Sequence, residues 1–401
     1  MCPSYMVTLE EKHSTRGRAH MLFELLQGEI VRDGWRDENV KQALDLCLSC
    51  KACKSECPTN VDISTYRAEF LSHYYEGRRR PLHAGFFGTI DRWARLASFS
   101  PSAANLLSHA PGFEGLIRLL LRLPSERKLP RFARRTFQSW ARGRKDCAAP
   151  GMEPGAESGA ARPQIVLWPD TFTNYFHPEI GRAALKVLEN AGFRVSVPQA
   201  HLCCGRPLYD FGMLDRAKEY LVRIMKAFAH EIDAGLPIIF LEPSCASVFR
   251  DELCALFPQD SRAARLRDRS FLFGEFLQDH GGAYRPPKLD RKVLLHRHCH
   301  DKALMTPKGG EALLRGMGVE LQALDSGCCG MAGAFGFERE KYEISRAIGE
   351  RVLLPAVREA QTDTLVVSDG FSCREQIAQL TGRRAFHLAE VLQLASKQSR
   401  S

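Results

Sequence analysis

The sequence predicts a multi-domain protein of the α + α/β class, in which a helical N-terminal domain precedes two copies of one α/β unit. Three observations support this prediction: closely spaced cysteines among helical signals, a basic segment interrupted by prolines, and a repeated order of strand, helix, paired cysteines, helix and strand. With 401 residues, the chain is long enough for two or three domains that each bury a core.

The predicted domain boundaries follow changes in composition along the chain. Residues 1–77 carry the first cysteines among helical signals, and residues 78–145 are typical of basic amphipathic helices. Residues 146–163 are rich in proline, glycine and small side chains, which predicts a linker. The first α/β repeat is expected over 164–285 and the second over 286–401.

The positive charge of the chain is concentrated in the basic segment. The net charge is +9, but residues 78–145 hold 15 Lys and Arg against three acidic residues, which leaves the remainder at −3. Its stretch FEGLIRLLLRLP is apolar on one side and basic on the other. Such a helix is either an ordinary solvated face or a surface for anionic lipid that would bring the protein near quinone. No motif that reads nucleic acid accompanies the charge, so nucleic acid is not an expected partner.

The composition indicates a globular protein of the cytoplasm. No apolar run approaches the roughly 20 residues of a membrane span, and the first residues are charged and mixed, unlike a signal peptide. The prediction is therefore cytoplasmic, with peripheral attachment to the inner face of a membrane as the alternative. The 14 cysteines, closely spaced in a long chain without an export signal, favour metal coordination over disulfides.

The two α/β repeats are recognised by the order of their segments. The first copy runs from PQIVLW through the helical GRAALKVLENAG and a Cys-Cys-Gly triplet to PIIFLEPSC. The second runs from KVLLHRHCH through GGEALLRGMG and another Cys-Cys-Gly triplet to TLVVSDGFSC. Duplicated units of strand and helix predict two similar domains with short, mainly parallel sheets.

The first cysteine group lies in the stretch CLSCKACKSECPTN, which supplies Cys47, Cys50, Cys53 and Cys57 in the pattern CxxCxxCxxxCP. Two-residue spacings allow successive thiolates from one tight loop to reach three irons of a cube, and the proline prevents the loop from continuing as helix. The pattern predicts a ferredoxin-like [4Fe–4S] site. The alternative is structural zinc, which more often takes two separated pairs of ligands.

Cys2, followed by a proline, extends this prediction to the start of the chain. In two-cluster ferredoxins the fourth cysteine of such a run binds the other cluster. Cys2 would then complete the cluster of Cys47, Cys50 and Cys53, and Cys57 would serve a cluster whose other cysteines lie upstream of residue 1. The alternative is that Cys57 completes its own site and Cys2 is an idle thiol.

The second repeat offers four candidate metal ligands. Adjacent Cys328 and Cys329 are followed by Gly330, and Cys299 and Cys373 stand at the ends of predicted strands. Neighbouring side chains normally diverge, so two thiolates at one metal centre need a sharp turn, which glycine permits.

The first repeat offers three candidate ligands: the pair Cys203 and Cys204, followed by glycine, and Cys245. Asp170 or Thr171 occupies the strand end where the second copy has a cysteine. The expectation is that this site is weaker, oxygen-ligated or empty.

Two pairs of basic residues lie close to candidate ligands. His298 and His300 flank Cys299, and they either coordinate metal, donate hydrogen bonds to cluster sulfur, or are structural. Arg16 and Arg18 follow Cys2 and either offset cluster charge or are ordinary surface arginines.

The Cys-Cys-Gly repeats resemble the CCG domains of three kinds of protein: the B component of heterodisulfide reductase, the iron–sulfur component of glycolate oxidase and the C component of anaerobic glycerol-3-phosphate dehydrogenase. In heterodisulfide reductase each such domain uses five cysteines to hold a noncubane [4Fe–4S] cluster. The present repeats have three and four candidate cysteines, so the resemblance implies further iron–sulfur clusters without establishing the noncubane type.

A second resemblance covers essentially the whole chain. The strings CPSYMVTLEEKHSTRGRA, CLSCKACKSECPTNVD, YRAEFLSHYYEGRRRPLHAGFFG, IDRWARLAS and SGCCGMAGAFGFE are similar to the C-terminal half of large FAD-linked oxidases that act on D-2-hydroxyacids such as D-2-hydroxyglutarate or D-lactate. In that family a flavin-binding domain and a CxxCxxC motif precede this region. The resemblance implies that residue 1 is an internal methionine of a longer ancestral frame.

Together these resemblances imply an iron–sulfur electron-transfer module of a flavin-linked 2-hydroxyacid dehydrogenase. FAD would reside in a missing N-terminal half or a partner subunit, and electrons would pass through the [4Fe–4S] cluster and the CCG repeats to quinone or another acceptor. Two alternatives remain at this point: a thiol–disulfide oxidoreductase like heterodisulfide reductase, and a non-catalytic structural metal protein.

Overall fold

The computed structural model describes residues 2–144, 162–282, 284–305 and 309–398. Of the predicted linker at 146–163, only residues 162 and 163 lie within this part of the chain. The predicted domain boundaries stay predictions. Within the described ranges, no helix combines the length and apolar composition that crossing a membrane requires.

The part before the first repeat is helical. The α-helices before residue 78 are α1 Pro3–Thr8, α2 Thr15–Gln27, α3 Glu38–Asp45, α4 Ala52–Glu56 and α5 Ile63–Tyr74, with 3-10 turns at Glu11–His13 and Gly34–Arg36. Those of the basic segment are α6 Leu82–Gly88, α7 Ile90–Ala97, α8 Pro101–His109, α9 Pro111–Leu121 and α10 Phe137–Arg142.

The helices of the basic segment begin and end near its prolines. Pro101 and Pro111 occupy the first turns of α8 and α9, where a missing N–H costs nothing. Residues 122–136, by contrast, contain no helix, and Pro124 and Pro130 lie within this stretch. Pro124 and Pro130 explain the difference, because proline removes a helical hydrogen bond and disfavours helix in the residue before it.

The first repeat alternates strands and helices around one sheet. Its elements are β1 Gln164–Leu167, α11 Thr171–Tyr175, α12 Pro178–Asn190, β2 Arg194–Ser196, α13 Arg206–Asp210, α14 Leu214–Ala227, α15 Ala229–Asp233, β3 Ile238–Phe240, α16 Pro243–Ser247, a π-helical turn Val248–Glu252, α17 Leu253–Leu256, α18 Ser261–Asp268, β4 Ser270–Leu272 and α19 Phe273–His280.

The second repeat has the same plan. Its elements are β5 Lys292–Leu295, α20 Cys299–Leu304, α21 Gly309–Gly316, β6 Glu320–Ala323, the 3-10 turns Phe335–Phe337 and Arg339–Lys341, α22 Tyr342–Glu350, α23 Leu353–Glu359, β7 Leu365–Val367, α24 Phe371–Thr381, β8 Ala385–Phe386 and α25 Leu388–Gln398.

The two sheets have one topology. The strand orders are β2-β1-β3-β4 and β6-β5-β7-β8, and every neighbouring pair is parallel. The central strands β1, β3, β5 and β7 consist mostly of buried aliphatic residues, as expected for parallel strands covered on both faces. These features confirm the predicted duplication and its α/β class.

The repeats share a hydrophobic core. Helix α12 of the first repeat packs on α25 of the second, and α19 packs on α21. Leu185 and Leu188 on α12 and Leu392 on α25 belong to one buried cluster that spans both sheets. The candidate cysteines of the two repeats are therefore held on a common rigid base.

Candidate metal centres

The first cysteine group lies on the loop between α3 and α5 and on the short helix α4. Ser49 and Lys51, on either side of Cys50, both have left-handed backbone angles, with φ of 50° and 60°. Such angles are uncommon outside glycine and indicate a loop held in place by its surroundings. These two residues turn the backbone on both sides of Cys50, between Cys47 and Cys53.

Cys2 is bound to this region by a buried arginine. Arg18 donates hydrogen bonds to Cys2 Sγ at 2.9 Å and to Ser4 Oγ at 2.8 Å, and its side chain is almost completely buried. Burial alone would raise the pKa of the Cys2 thiol, but the charge of Arg18 and the hydrogen bond with Ser4 lower it. Arg18 therefore favours the thiolate at Cys2, whereas Arg16 is an exposed residue that pairs with Glu11.

The structure brings four of the five N-terminal cysteines together. The Cys50 and Cys53 thiols both interact electrostatically with Cys47 and with Cys2, and burial raises the pKa of Cys53 to about 11. Cys57 is a partly exposed residue whose thiol lies 3.1 Å from Thr59 Oγ1, and this contact lowers its pKa. These interactions support the grouping of Cys2 with Cys47, Cys50 and Cys53.

In the second repeat all four predicted cysteines form one buried chain of thiol contacts. Hydrogen bonds join Cys299 with Cys328, Cys328 with Cys329 and Cys329 with Cys373. The bond with Cys328 holds the pKa of Cys299 well below its usual value, and bonds with Cys328 and Cys373 do the same for Cys329. Lowered and raised thiol pKa values thus alternate along this chain of contacts.

Two histidines stabilise these thiolates. His298 is buried with its Nδ1 3.9 Å from Cys299 Sγ. Burial would lower the pKa of His298, but the Cys299 thiolate raises it to about 9, so the imidazole is cationic at neutral pH. His296 interacts with Cys329 and helps to lower the pKa of that thiol.

In the first repeat the three predicted cysteines also meet, but in a different electrostatic setting. Cys204 contacts Cys203 on one side and Cys245 on the other, with a distance of 3.2 Å between the Cys204 and Cys245 sulfurs. The hydrogen bond with Cys204 and burial raise the pKa of Cys203. The hydrogen bond with Cys204 would lower the pKa of Cys245, but burial and the acidic neighbours Asp170 and Glu242 raise it to about 12.

Asp170 caps α11 as His298 caps α20, so Thr171, the first residue of α11, takes the place that Cys299 has in the second repeat. The Asp170 Oδ1 accepts hydrogen bonds from the N–H groups of Phe172 and Thr173. Its Oδ2 is buried without a hydrogen-bond partner. Burial and the nearby Glu242 raise the pKa of Asp170 to about 6.

The glycine after each cysteine pair has the role that the sequence predicts. Gly205 and Gly330 have φ of 79° and 92°, in the left-handed region. At Gly330 an added Cβ would also lie 2.1 Å from the Ser345 carbonyl oxygen, so no other residue fits. The positive φ lets the chain turn directly after the paired thiols.

Residues from both repeats hold the N-terminal cysteine loop at one atom. The Ser49 carbonyl oxygen accepts a hydrogen bond from Arg206 Nη2 at 3.0 Å and lies 2.8 Å from His300 Nε2. Arg206 follows the first Cys-Cys-Gly triplet and His300 follows Cys299. We call Arg206 and His300, which hold the Ser49 carbonyl oxygen, the clamp at Ser49.

The helix that begins at Cys299 connects all three cysteine groups. Helix α20 packs on α4, which carries Cys53, and on α16, which carries Cys245. Cys299 is also the strongest charged neighbour of the Cys50 thiol. The N-terminal group and the group of the second repeat are thus adjacent.

A buried ion network fixes this junction. The Lys51 ammonium, fully buried, lies 3.0 Å from Asp62, 2.6 Å from Asp251 and 3.0 Å from Glu252. Arg206 contributes a 2.5 Å ion pair to Glu252. Burial would lower the pKa of Lys51, but the three carboxylates raise it, so this lysine is always charged. Buried ions of this kind are tolerated only when fully paired.

These contacts have little signature in the sequence. Two features of the sequence draw attention to these residues: Lys51 lies within the cysteine motif, and Arg206 directly follows a Cys-Cys-Gly triplet. Asp251 and Glu252 lie about 200 residues from Lys51, in a π-helical turn with no motif of their own. Their role depends on tertiary structure alone.

A cavity of about 410 Å³ lies at the same junction. Cys47, Cys203, Cys204, Cys245 and Cys299 contribute to its wall, so it touches all three cysteine groups. Most of the remaining wall is apolar and comes from the basic segment and from both repeats.

The residues present fit iron–sulfur clusters to different degrees. The N-terminal group and the second repeat each offer four thiols, the number a [4Fe–4S] core takes, and the first repeat offers three. Within the described ranges, no group of three or more His, Cys, Asp or Glu side chains is placed to hold a single metal ion. A cubane does not need that arrangement, because each iron takes its own cysteine.

Comparison with known proteins agrees with this division of the chain. The family described as "4Fe-4S dicluster domain" matches residues 1–61, and the CCG family, described as "Cysteine-rich domain", matches twice, at 170–250 and 293–378. These matches support iron–sulfur clusters as the cofactors and place one cysteine-rich domain on each sheet.

Similar proteins include oxidoreductases and their components. The C component of the anaerobic glycerol-3-phosphate dehydrogenase of Escherichia coli is 30% identical over 300 residues, which cover 73% of this chain and 72% of that protein. The D-2-hydroxyglutarate dehydrogenase of Pseudomonas putida is 26% identical over 98% of this chain but only 41% of its own length. Lactate utilization protein A of Anoxybacillus flavithermus is 27% identical over 57% of this chain and 98% of its own length.

The order of a dicluster domain and two cysteine-rich domains, the duplicated parallel sheets and the similarity to the glycerol-3-phosphate dehydrogenase component agree with one another. The chain belongs to the family of CCG-domain iron–sulfur proteins that includes the C component of anaerobic glycerol-3-phosphate dehydrogenase.

Proposed function

We propose that this chain is the iron–sulfur electron-transfer module of a flavin-linked 2-hydroxyacid dehydrogenase or oxidase. It receives electrons from reduced FAD in an upstream domain or a partner subunit and passes them to quinone or another acceptor. The observation that carries the proposal is the junction at Ser49, where residues beside the cysteines of both repeats hold the loop of the N-terminal cysteines.

The proposed ligands of the entry cluster are Cys2, Cys47, Cys50 and Cys53. An iron–sulfur cluster carries one electron at a time, which allows a two-electron flavin to be emptied in single steps. Arg18 lowers the pKa of the Cys2 thiol and would place a positive charge beside the proposed cluster. The electrostatic contact between Cys50 and Cys299 marks the exit towards the second repeat.

The second repeat is proposed as the next site, with Cys299, Cys328, Cys329 and Cys373 as ligands. Cationic His298 offsets the negative charge of this group, which favours both cluster binding and acceptance of an electron. In the first repeat Cys203, Cys204 and Cys245 are proposed as a weaker site, because the neighbouring carboxylates disfavour thiolates there.

The flavin partner and the hydroxyacid substrate are supported by the extent of the similarity. Nearly the whole chain aligns with a D-2-hydroxyglutarate dehydrogenase, of which it covers 41%. We assign FAD and the substrate pocket to the part of such an enzyme that this chain does not cover. Cys57, which is partly exposed and apart from the other cysteines, would face a cluster of that partner.

The test is iron content and electron paramagnetic resonance of the anaerobically purified chain. Cys2→Ser and Cys50→Ser should abolish the same cluster signal, and Cys57→Ser should retain it. Unchanged iron and an unchanged signal in Cys2→Ser would refute the assignment of Cys2.

The same preparation separates the proposal from its rivals. A colourless, zinc-loaded protein would identify a structural metal protein. A brown protein that reduces a heterodisulfide without any flavoprotein would identify a thiol–disulfide oxidoreductase. Reduction of the clusters by a flavoprotein fed with a 2-hydroxyacid is the result that we expect.

A further inference from the structure

The part of the basic segment that follows α9 lies across the second repeat. The Arg339 N–H donates a hydrogen bond to the Arg122 carbonyl oxygen at 2.9 Å. Further along, Gln379 Nε2 donates to the Lys128 carbonyl oxygen at 3.1 Å, and its Oε1 accepts from the Lys128 N–H at 3.3 Å. Both ends of this stretch are therefore bound to the repeat, and we call residues 122–128 the strap.

The start of the strap packs beside the cysteines of the second repeat. Leu121 is the last residue of α9, and Leu123, within the strap, is buried. Both leucines belong to the buried cluster that also contains Cys328, Cys329 and Cys373. The basic segment therefore contributes part of the packing around the thiols of this repeat.

Arg127, near the end of the strap, is a buried cation with 2% of its surface exposed. Its Nε donates a hydrogen bond to the Gly336 carbonyl oxygen at 2.9 Å. Its Nη2 donates to Ser345 Oγ at 3.1 Å and to Gln376 Oε1 at 2.6 Å. Its Nη1 is also buried but has no hydrogen-bond partner among the described residues. A buried cation is costly unless negative charge lies nearby.

Gln376 connects this cation with the paired cysteines. It is completely buried and lies one turn after Cys373 on α24. Its Nε2 donates hydrogen bonds to the Cys329 carbonyl oxygen at 3.0 Å and to the Ser345 carbonyl oxygen at 3.1 Å. Because both ends of this amide are bonded, Arg127 fixes the orientation of Gln376, and Gln376 in turn holds the backbone of Cys329.

The guanidinium of Arg127 also acts on the cysteines through its charge. Cys329 is among the charged neighbours of Arg127. An arginine stays protonated in proteins, so Arg127 offsets negative charge on the thiolates of this repeat across the ordinary pH range. The thiolates in turn supply the negative charge that a buried cation needs.

The sequence of the first repeat differs at the corresponding position. Cys245 corresponds to Cys373, and the residue one turn after Cys245 is Val248. A valine side chain cannot donate to a cysteine carbonyl oxygen or accept from an arginine. The amide link between an arginine and the paired cysteines is therefore specific to the second repeat.

We propose that Arg127 is a positioning residue for the metal site of the second repeat, contributed by the basic segment; this inference rests on the proposed function. Arg127 holds the turn of Cys328 and Cys329 in place through Gln376. Its positive charge stabilises an additional electron at this site, so it raises the midpoint potential of a cluster bound there.

The test is an anaerobic redox titration of the full chain, followed by electron paramagnetic resonance. The signal that Cys373→Ser removes identifies the cluster of the second repeat. In Arg127→Met, the one-electron equilibrium of this signal should shift about tenfold towards the oxidised form, which lowers the midpoint potential by about 59 mV. Arg127→Lys keeps the charge, so most of this shift should be absent.

Lys128→Met is the matched control, because it removes an exposed charge from the next residue of the strap. The midpoint potential in this variant should equal that of the wild type. The signal of the N-terminal cluster should titrate identically in all variants and serves as an internal reference. Equal midpoint potentials in Arg127→Met and the wild type would overturn the inference and leave the proposed relay intact.

Iron release to a ferrous chelator tests the connection through Gln376. Gln376→Val cuts the amide link but keeps the cation, so iron should leave the second repeat about tenfold faster while the midpoint potential shifts less than in Arg127→Met. Release at the wild-type rate would overturn the positioning role.

The chelator assay also covers a cluster that is lost from Arg127→Met during purification. Arg127→Lys should then retain its iron, because the charge is still present. Equal iron loss from the Met and Lys variants, with unchanged circular dichroism, would overturn the inference in favour of packing alone. A wild-type chain without any signal that Cys373→Ser removes would instead refute the proposed function itself.

Discussion

The two CCG repeats have one fold and two electrostatic characters. Their sheets have the same strand order, their glycines turn the chain in the same way, and their cysteines lie at corresponding positions. In the second repeat two thiols have strongly lowered pKa values, whereas in the first repeat all three cysteine pKa values are raised.

The difference arises from a few neighbouring side chains. His298 supplies a positive charge beside Cys299, and His296 assists Cys329. The first repeat instead places Asp170 and Glu242 beside Cys245. Since metal binding requires thiolates, the contrast predicts that the second repeat binds metal more readily than the first.

The largest expected effect is on iron content. Cys299→Ser removes a thiolate from the chain of four and should eliminate the iron–sulfur cluster of the second repeat. Cys203→Ser should change the iron content far less, because its thiol is neutral and its site has three cysteines. Iron analysis against Cys254→Ser, a cysteine outside all three groups, provides the measurement. Equal iron loss in both variants would remove the distinction between the repeats.

The clamp at Ser49 allows a comparison of one residue from each repeat. Arg206→Met removes the ion pairs of Arg206 with buried Glu252 and half-buried Asp210 and should destabilise the protein by about 3 kcal/mol, since Glu252 keeps Lys51 as a partner. His300→Asn removes a neutral hydrogen bond and should cost about 1 kcal/mol. Urea unfolding followed by circular dichroism compares them, and a smaller effect for Arg206→Met would contradict the ion network.

The carboxylate of the first repeat predicts a pH dependence. The pKa of Asp170 is about 6 in the folded protein, above its ordinary value of 3.8, so ionisation opposes folding. The contribution of Asp170 to the free energy of unfolding is therefore most favourable below about pH 4, where the carboxyl is neutral. This contribution is lost as the pH rises through about 6.

Asp170→Asn keeps the acceptor that caps α11 and removes this titration. It should be more stable than the wild type at pH 7 by on the order of 2 kcal/mol, and the difference should vanish near pH 4. Unfolding midpoints at the two pH values test this. A difference that does not change with pH would show that Asp170 does not titrate as described.

Replacing His298, the cation of the second repeat, should have the smallest effect. The pKa of His298 is about 9, so its attraction for the Cys299 thiolate is present at neutral pH and fades as the pH rises through 9. His298→Asn keeps a helix-capping side chain without the charge, so iron should leave to a chelator a few-fold faster at pH 7. The rates of variant and wild type should converge above pH 9, and a constant ratio would exclude the charge as the cause.

Local patterns in the sequence were sufficient for the fold. The repeated order of strand, helix and paired cysteines predicted both parallel sheets, and the glycine after each pair predicted the left-handed turns at Gly205 and Gly330. These features depend on neighbouring residues, so they are visible in a single sequence. The prolines of the basic segment are visible in the same way, and the stretch without helix at 122–136 contains Pro124 and Pro130.

The arrangement of the sites could be predicted only in part. In two-cluster ferredoxins the fourth cysteine of a motif binds the other cluster, and this rule led from the CxxCxxC motif to Cys2. The structure places the Cys2 thiol within electrostatic reach of Cys50 and Cys53. The Lys51 network could not be predicted, because Lys51 and Asp251 are 200 positions apart in the chain. The cavity could not be predicted either, because its wall combines residues of the N-terminal part with residues of both repeats. Nothing in a local pattern records which distant surfaces meet.

The clamp at Ser49 has a consequence for how the protein is made. Ser49 is synthesised early, but its carbonyl oxygen acquires its hydrogen-bond partners only when residues 206 and 300 have been added and folded. The loop of the N-terminal cysteines is therefore synthesised before the residues that hold it and acquires its last partner only after His300 is in place. Iron delivered to it before the second repeat exists would bind to a loop that is still open.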